Sequence, residues 1–146
     1  MASDISKIEV IIWTAKGEKT GTSDNVFLGL GGREFRLKTD TSNFTSGKKD
    51  VFILGIDHNI SKSDWNNPNK PKLDTDDLDL PIYIRKGGTL QGADDDGWKI
   101  EKVEIKIPLG DKFLKHYKRL DGPDDIWLSN NCGLILFLKW LPPLLE

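Results

Sequence analysis

Aspartate offers the clearest chemistry in this sequence, because it occurs in clusters. Asp94, Asp95 and Asp96 lie directly before a predicted strand, and further acidic clusters occupy residues 74–79 and 121–125. Calcium binds roughly six to eight oxygen atoms from carboxylates, backbone carbonyls and water. Two carboxylates of residues 94–96 can chelate one Ca²⁺, although the same residues also suit a solvated, turn-forming loop. The other two clusters are more typical of turns, and none of the three has EF-hand spacing.

Known catalytic motifs are absent from the sequence, so no catalytic residue is predicted. There is no Gly-x-Ser-x-Gly nucleophile and no Gly-rich phosphate loop. Cys132 precedes an apolar segment and is expected in the core, whereas His58 and His116 are expected on the surface. One Cys and two His are too few for a typical zinc site. A small hydrolase using pairs of Asp is therefore the weakest candidate function.

Charge and hydropathy exclude two classes of function. The formal net charge is −2 and the sequence pI is about 5.7, so the chain lacks the basic surface of a general nucleic-acid-binding protein. The longest apolar stretch is interrupted by Lys139 and Pro142, and it falls short of the roughly 20 residues that span a bilayer. The sequence therefore predicts a soluble, cytoplasmic protein without a transmembrane segment, with peripheral attachment to a membrane left open.

Trp65 lies in a polar segment, where no neighbour in the sequence would bury it. An exposed Trp can enter a membrane interface or anchor a protein partner, because its ring is apolar while its N–H is polar. The alternative is that Trp65 folds back onto the domain. The other four tryptophans lie on predicted strands and are expected in the core or on a sheet surface: Trp13, Trp98, Trp127 and Trp140.

Strands are the elements that must position these residues. The 146 residues suit a single domain, 1–146, and 17 of the 23 acidic residues are Asp, which favours turns over helices. Apolar patterns indicate about eight strands, at residues 7–13, 25–30, 33–38, 50–56, 78–86, 98–107, 126–128 and 134–140. This count predicts an all-β fold, an antiparallel β-sandwich of two sheets with little helix.

Four local features refine this prediction. Gly31-Gly32 predicts a tight hairpin, and the change of phase between Ile100 and Val103 predicts a β-bulge. Residues 112–120 carry apolar side chains at helical spacing, which predicts a short helix or turn. Residues 57–77 are polar and without period, so they predict a long loop inserted between two strands, of a kind that is often functional or mobile.

Four ordered motifs carry a family resemblance. They are Gly21-Thr22 followed by Asp24-Asn25-Val26, then Asn43-Phe44 with Gly47, Asp50 and Phe52, then Gly97-Trp98 with Val103 and Ile105, and finally Ile126-Trp127-Leu128. Their order resembles the PLAT domain family, also called lipoxygenase homology or LH2 domains. The resemblance implies a β-sandwich of eight strands and a non-catalytic module, which docks enzymes or toxins to membranes or to partner proteins.

The resemblance also implies ligands. In several members of the family, Ca²⁺ held between loops promotes lipid binding while an exposed Trp inserts. On matching positions there would be two Ca²⁺ sites: Gly21, Thr22 and Asp24 opposite Asp94, Asp95 and Asp96 at one end of the sandwich, and a second site at Asn43, Gly47 and Asp50. In a departure from the family pattern, Arg85 and Lys86 stand where a carboxylate is usual.

The leading hypothesis is a stand-alone PLAT-like binding module, with Ca²⁺ as its candidate cofactor, that engages membrane lipid or a protein partner. Trp65 and Trp98 are its candidate contact residues. The alternative is a metal-independent protein–protein adaptor or scaffold, in which residues 57–77 or an exposed sheet edge carry recognition. Carbohydrate binding also remains open, because the fold alone does not decide function.

Overall fold

The computed structural model of the chain describes residues 4–88, 97–109, 113–119 and 126–141. Nine strands follow one another: β1 (Lys7–Thr14), β2 (Val26–Leu30), β3 (Arg33–Arg36), β4 (Lys49–Gly55), β5 (Tyr83–Lys86), β6 (Trp98–Leu109), β7 (Phe113–Arg119), β8 (Ile126–Leu128) and β9 (Ile135–Leu141). The one helix of these ranges is a short 3₁₀ helix, Thr75–Asp79, and none of the described residues forms a helix able to cross a bilayer. The all-β prediction is confirmed.

The strands form two antiparallel sheets that share β9. The first sheet has the order β4-β1-β6-β7-β9, with β8 also paired to β6, and the second has the order β3-β2-β5-β9. β9 pairs with β5 through residues 135–137 and with β7 through residues 138–141, so the two sheets are continuous on that side. The predicted antiparallel β-sandwich is confirmed, and its opposite side is bounded by the edges of β3 and β4.

Alternation along the strands fills the core between the sheets, because successive side chains point to opposite faces. Val10 and Ile12 of β1 are fully buried, as are Leu28 of β2 and Ile84 of β5 on the other sheet. Burial of apolar surface contributes about 25 cal/mol per Å², so this shared core holds the two sheets together.

Three local predictions have different outcomes. The Gly31-Gly32 hairpin is confirmed, since both glycines have positive φ between β2 and β3. The bulge in β6 is confirmed, because the register with β1 shifts between Trp13 and Thr14. The short helix or turn predicted for residues 112–120 is wrong, because this segment forms β7 and pairs with β6 and β9. Backbone pairing with strands on both sides of β7 outweighs the weak helical spacing of its apolar residues.

The strand predicted to start at residue 78 begins later, at Tyr83, because residues 75–79 form the 3₁₀ helix. The Asp74 carboxylate accepts a hydrogen bond from the backbone N–H of Asp76, and the Asp77 carboxylate accepts one from the backbone N–H of Asp74, both at 2.9 Å. The Asp74 side chain also accepts from the backbone N–H of Asp77, and this bond together with the one from Asp74 to the Asp77 carboxylate forms a capping box. The acidic cluster at 74–79, predicted to form a turn, forms this capped 3₁₀ helix.

Residues 57–77, which we call the strap, close the open side of the sandwich. Along β4, the Asn59 side chain accepts a hydrogen bond from the backbone N–H of Ile53 and donates one to the carbonyl of Val51, both at 2.8 Å, as a neighbouring strand would. Along β3, the Arg33 guanidinium donates to three strap carbonyls at 2.7 to 3.2 Å. The predicted long loop is therefore tied to both sheet edges.

Candidate functional site

One end of the sandwich, which we call the loop end, gathers most of the predicted site residues of the described chain. β1 and β5 finish there, and β2 and β4 begin there, so residues 15–25 (loop A) lie beside residues 37–48 (loop B). Between them is an open groove of about 840 Å³, lined by residues 21–26 and 36–46 and by Ser61 of the strap. Four predicted metal ligands line this groove: Gly21, Thr22, Asp24 and Asn43.

Gly21 marks the point where the two loops touch. The backbone N–H of Thr22 donates to the carbonyl oxygen of Phe44 at 3.0 Å, and the hydroxyls of Thr20 and Ser46 share a hydrogen bond of 2.5 Å. A Cβ atom at residue 21 would lie only 2.5 Å from the carbonyl oxygen of Phe44. Gly21 therefore permits a close backbone approach, a role that does not require a metal.

Asp24 faces a cation of the protein itself. The Nζ atom of Lys86, at the end of β5, lies 2.6 Å from Oδ2 of Asp24 and 3.0 Å from the carbonyl oxygen of Gly87. The Lys86 side chain is completely buried, and the Asp24 side chain is 20% exposed. Because the ammonium lies against the carboxylate, Asp24 in this arrangement does not fit the role of a calcium ligand.

Asp50, with Asn43, forms a clamp inside loop B. One carboxylate oxygen of Asp50 accepts a hydrogen bond from the backbone N–H of Phe44 at 2.8 Å, and the other accepts one from Nδ2 of Asn43 at 3.1 Å. Lys48 adds an ion pair at 3.3 Å, and Gly47 completes the turn with a φ of 74°. Both oxygens of the buried Asp50 are thus engaged by protein donors, a role that does not require a metal.

The carboxylates of the described segments do not assemble into a metal site. Within residues 4–88, 97–109, 113–119 and 126–141, no three His, Cys, Asp or Glu side chains are grouped so that they could hold a metal ion. Asp94, Asp95 and Asp96 lie outside these ranges, as does the acidic cluster at 121–125. Calcium binding by residues 94–96 stays a prediction.

Trp98 is part of the core and not of the surface. Its side chain is 0% exposed, its Nε1–H donates to Oγ1 of Thr14 at 3.0 Å, and its ring meets that of Phe44 edge to face at 4.9 Å between centroids. Because β6 turns this residue inward, it cannot contact a membrane or a partner in this fold. The prediction of Trp98 as a contact residue is wrong, and its place in the core agrees with the strand pattern.

Trp65, in contrast, is 81% exposed on the strap. The next residue, Asn66, is buried and accepts a hydrogen bond from the backbone N–H of Arg36 at 2.7 Å, while Ser61 donates from its backbone N–H to the carbonyl of Lys38 at 2.7 Å. Arg36, Lys38 and Ser61 all line the groove. Trp65 is therefore presented to solvent beside the groove wall, where it is available as a contact.

The outer face of the second sheet carries a polar network that the sequence patterns do not reveal. The Glu34 carboxylate accepts two hydrogen bonds from Arg85 at 2.8 Å each and one from the Tyr83 hydroxyl at 2.9 Å. The hydrogen bonds from Arg85 lower the pKa of Glu34, and the bonds to Glu34 raise the pKa values of Tyr83 and Arg85. The one sequence signal is Gly29, because a Cβ there would collide with the Tyr83 ring.

Cys132 also departs from its prediction. It is exposed, and it lies in the turn between β8 and β9, where its backbone N–H donates to the hydroxyl of Ser129 at 3.1 Å. The apolar strand starts after this turn, at Ile135, so a residue three positions earlier is not drawn into the core. The prediction of Cys132 as a core residue is wrong.

Solved structures of toxins and of a lipoxygenase share this fold. An alpha toxin from Clostridium absonum is 25% identical with a TM-score of 0.62, and the match covers 94% of this chain and 32% of the toxin. An alpha toxin from an avian strain of Clostridium perfringens is 17% identical with a TM-score of 0.59, over 93% and 32% of the two chains. A lipoxygenase (LOX) variant is 18% identical with a TM-score of 0.53, over 95% of this chain and 17% of the enzyme.

No family model and no curated protein sequence matches the chain significantly. The chain spans about a third of the length of the toxins and less than a fifth of the lipoxygenase. The similarity therefore confirms the fold that the PLAT resemblance implies, and it shows that this chain is similar to one part of each larger protein.

Proposed function

We propose that this chain is a non-catalytic β-sandwich binding module of the PLAT type, which associates peripherally with a membrane lipid surface through its loop end. The fold shared with alpha toxins and a lipoxygenase supports the proposal of a β-sandwich binding module. The four ordered sequence motifs support its assignment to the PLAT type. The observation that carries the lipid proposal is the exposure of Trp65, at 81%, on a segment that is otherwise tied down.

The strap is already ordered around Trp65, so little of its backbone has to become ordered when Trp65 contacts a membrane. Ile60 and Leu73 of the strap are buried in the core, and Asn66 is bonded to β3. A contact residue held on an ordered segment loses little conformational entropy when it binds. Lys62 and Asp64 are both exposed beside Trp65, so their charges offset each other and the apolar ring of Trp65 carries the contact.

In this proposal, calcium is assigned to one set of acidic residues. Asp94, Asp95 and Asp96 directly precede β6, which begins at the loop end. These residues would hold the ion, and Ca²⁺ bound there would supply positive charge between the carboxylates and lipid phosphates. Binding of the protein to vesicles in calcium and in chelator measures whether the ion contributes.

Vesicle co-sedimentation of the wild type and of Trp65→Ala tests the proposal. Burial of only about 60 Å² of the Trp ring contributes roughly 1.5 kcal/mol, so we expect Trp65→Ala to weaken binding about tenfold. Phe137→Ala is the matched control, because Phe137 is 56% exposed but lies at the end of the second sheet away from the groove. Equal binding by wild type and Trp65→Ala, or no binding to any vesicle in calcium or chelator, would refute the lipid proposal.

A protein partner is the second candidate, and one observation favours it. On the outer face of the second sheet, Phe137 and Ile135 are 56% and 45% exposed, and the Tyr83 ring meets Phe137 edge to face at 5.8 Å. Aromatic residues and Arg are enriched in protein interfaces, and Arg85 lies on this face over the ring of Phe27. A partner captured by the wild type and lost with Phe137→Ala, but kept with Trp65→Ala, would support this function.

A further inference from the structure

Lys86 carries a fully buried side chain, which is unusual for a lysine. It is the last residue of β5, and its side chain is 0% exposed. Removing an ammonium from water is strongly unfavourable unless oxygen atoms of the protein replace the lost hydration. The structure must therefore supply partners for this charge.

The partners of Lys86 are two oxygen atoms of the kind that a hard cation selects. The Nζ atom lies 2.6 Å from the Asp24 carboxylate and 3.0 Å from the carbonyl oxygen of Gly87. Asp24 belongs to loop A, and the neighbouring Asn25 accepts a backbone hydrogen bond from Gly87 at 2.7 Å. The ammonium therefore lies where loop A meets the end of β5, and it joins the two.

We propose that the Lys86 ammonium is a resident cation that takes the place of a divalent metal ion at Asp24, so that loop A is held against β5 without calcium. Ca²⁺ lies about 2.3–2.6 Å from its oxygen ligands, so it cannot share this position with Nζ, which lies 2.6 Å from Oδ2. Removal of the ammonium leaves a carboxylate and a carbonyl that face the same partly buried space. That pair of oxygens should then accept an added divalent cation.

Thermal unfolding in calcium and in chelator tests this proposal in Lys86→Met. Loss of one partner of a buried ion pair is strongly destabilising, so the melting temperature in chelator should fall by roughly 6–20 °C. Calcium should restore part of this loss, and the double variant Lys86→Met/Asp24→Asn should not respond to calcium. Lys72→Met is the matched control, because Lys72 pairs with Asp4 but is 62% exposed, and its melting temperature should change little.

Calcium titration by calorimetry of the wild type and of Asp24→Asn gives a second measurement that does not depend on the folding of Lys86→Met. The two titrations should be the same, because Asp24 is already occupied by Lys86. Calcium binding in the wild type that is lost with Asp24→Asn would overturn the proposal, as would a Lys86→Met protein whose melting temperature is unchanged. Neither readout involves lipid, so failure here is distinct from failure of the proposed function.

Discussion

Replacement of Asp50 by alanine tests whether loop B is held by a carboxylate clamp. The Asp50 side chain is 3% exposed, and it accepts hydrogen bonds from the backbone N–H of Phe44 and from the Asn43 amide at 2.8 and 3.1 Å. Asp50→Ala leaves the backbone N–H of Phe44 without this acceptor, whereas Nδ2 of Asn43 loses one of two acceptors and keeps the hydroxyl of Thr39 at 2.9 Å. Phe44 should be affected most, because its φ is positive and its ring packs on Phe52 and Trp98 in the core.

The magnitude follows from these two bonds. Each hydrogen bond to a charged group contributes about 1.5–3 kcal/mol, and the ion pair with the partly exposed Lys48 adds little. We therefore expect Asp50→Ala to lower the free energy of unfolding by about 3–6 kcal/mol. For a domain of this size each kcal/mol lowers the melting temperature by about 2–4 °C, so the total shift is roughly 6–24 °C.

Urea and thermal unfolding followed by circular dichroism measure this effect, with Asp64→Ala as the control. Asp64 is exposed, so its removal should change the free energy of unfolding by less than about 0.5 kcal/mol. A loss below about 1 kcal/mol in Asp50→Ala would refute the clamp. Calcium that stabilises the wild type but not Asp50→Ala would instead identify Asp50 as a metal ligand.

Two further predictions concern the second sheet and the strap. Folding lowers the pKa of Glu34 below its ordinary value of 4.5, so the stability it contributes is complete above pH 4.5 and is lost as the pH falls through the folded-state pKa. In Glu34→Gln the urea midpoint should therefore fall less steeply below pH 4.5 than in the wild type, and parallel curves would contradict this. Asn59→Ala removes two hydrogen bonds from the edge of β4, so it should cost about 1–2 kcal/mol and increase self-association in light scattering, whereas an unchanged urea midpoint would contradict it.

Alternation of apolar residues was sufficient to predict most of the fold. β1 reads Lys-Ile-Glu-Val-Ile-Ile-Trp-Thr, and its inward residues are buried as this pattern indicates. The bulge in β6 was visible as a change of phase, because an extra residue in one strand exchanges the inward and outward faces. Alternation and a change of phase are patterns among residues that are adjacent in the sequence, so both can be recognised in a single sequence.

Features that depend on distant partners could not be predicted in this way. β7 pairs on both sides with strands whose positions are set by the whole sheet, and its own pattern is weak. The strap has no periodic pattern because single side chains connect it to the sheet edges: Asn59 of the strap bonds the backbone of β4, and Arg33 of β3 bonds strap carbonyls. Lys86 shares the inward phase of Ile84 in β5, which indicates burial, but its partner Asp24 is 62 residues away in the sequence.

The motif residues at the loop end illustrate why a resemblance can predict a fold without predicting a metal. Gly21 is required by the close approach of loops A and B, and Asp50 is required by the turn at Phe44. Both requirements are architectural, so these residues match the family pattern whether or not an ion binds. Ion binding depends instead on whether a carboxylate such as Asp24 lacks a cation of the protein, and here Lys86 supplies one. If the proposed role of Lys86 is correct, the residue that keeps a metal ion from Asp24 lies outside the matched motifs, at the end of β5.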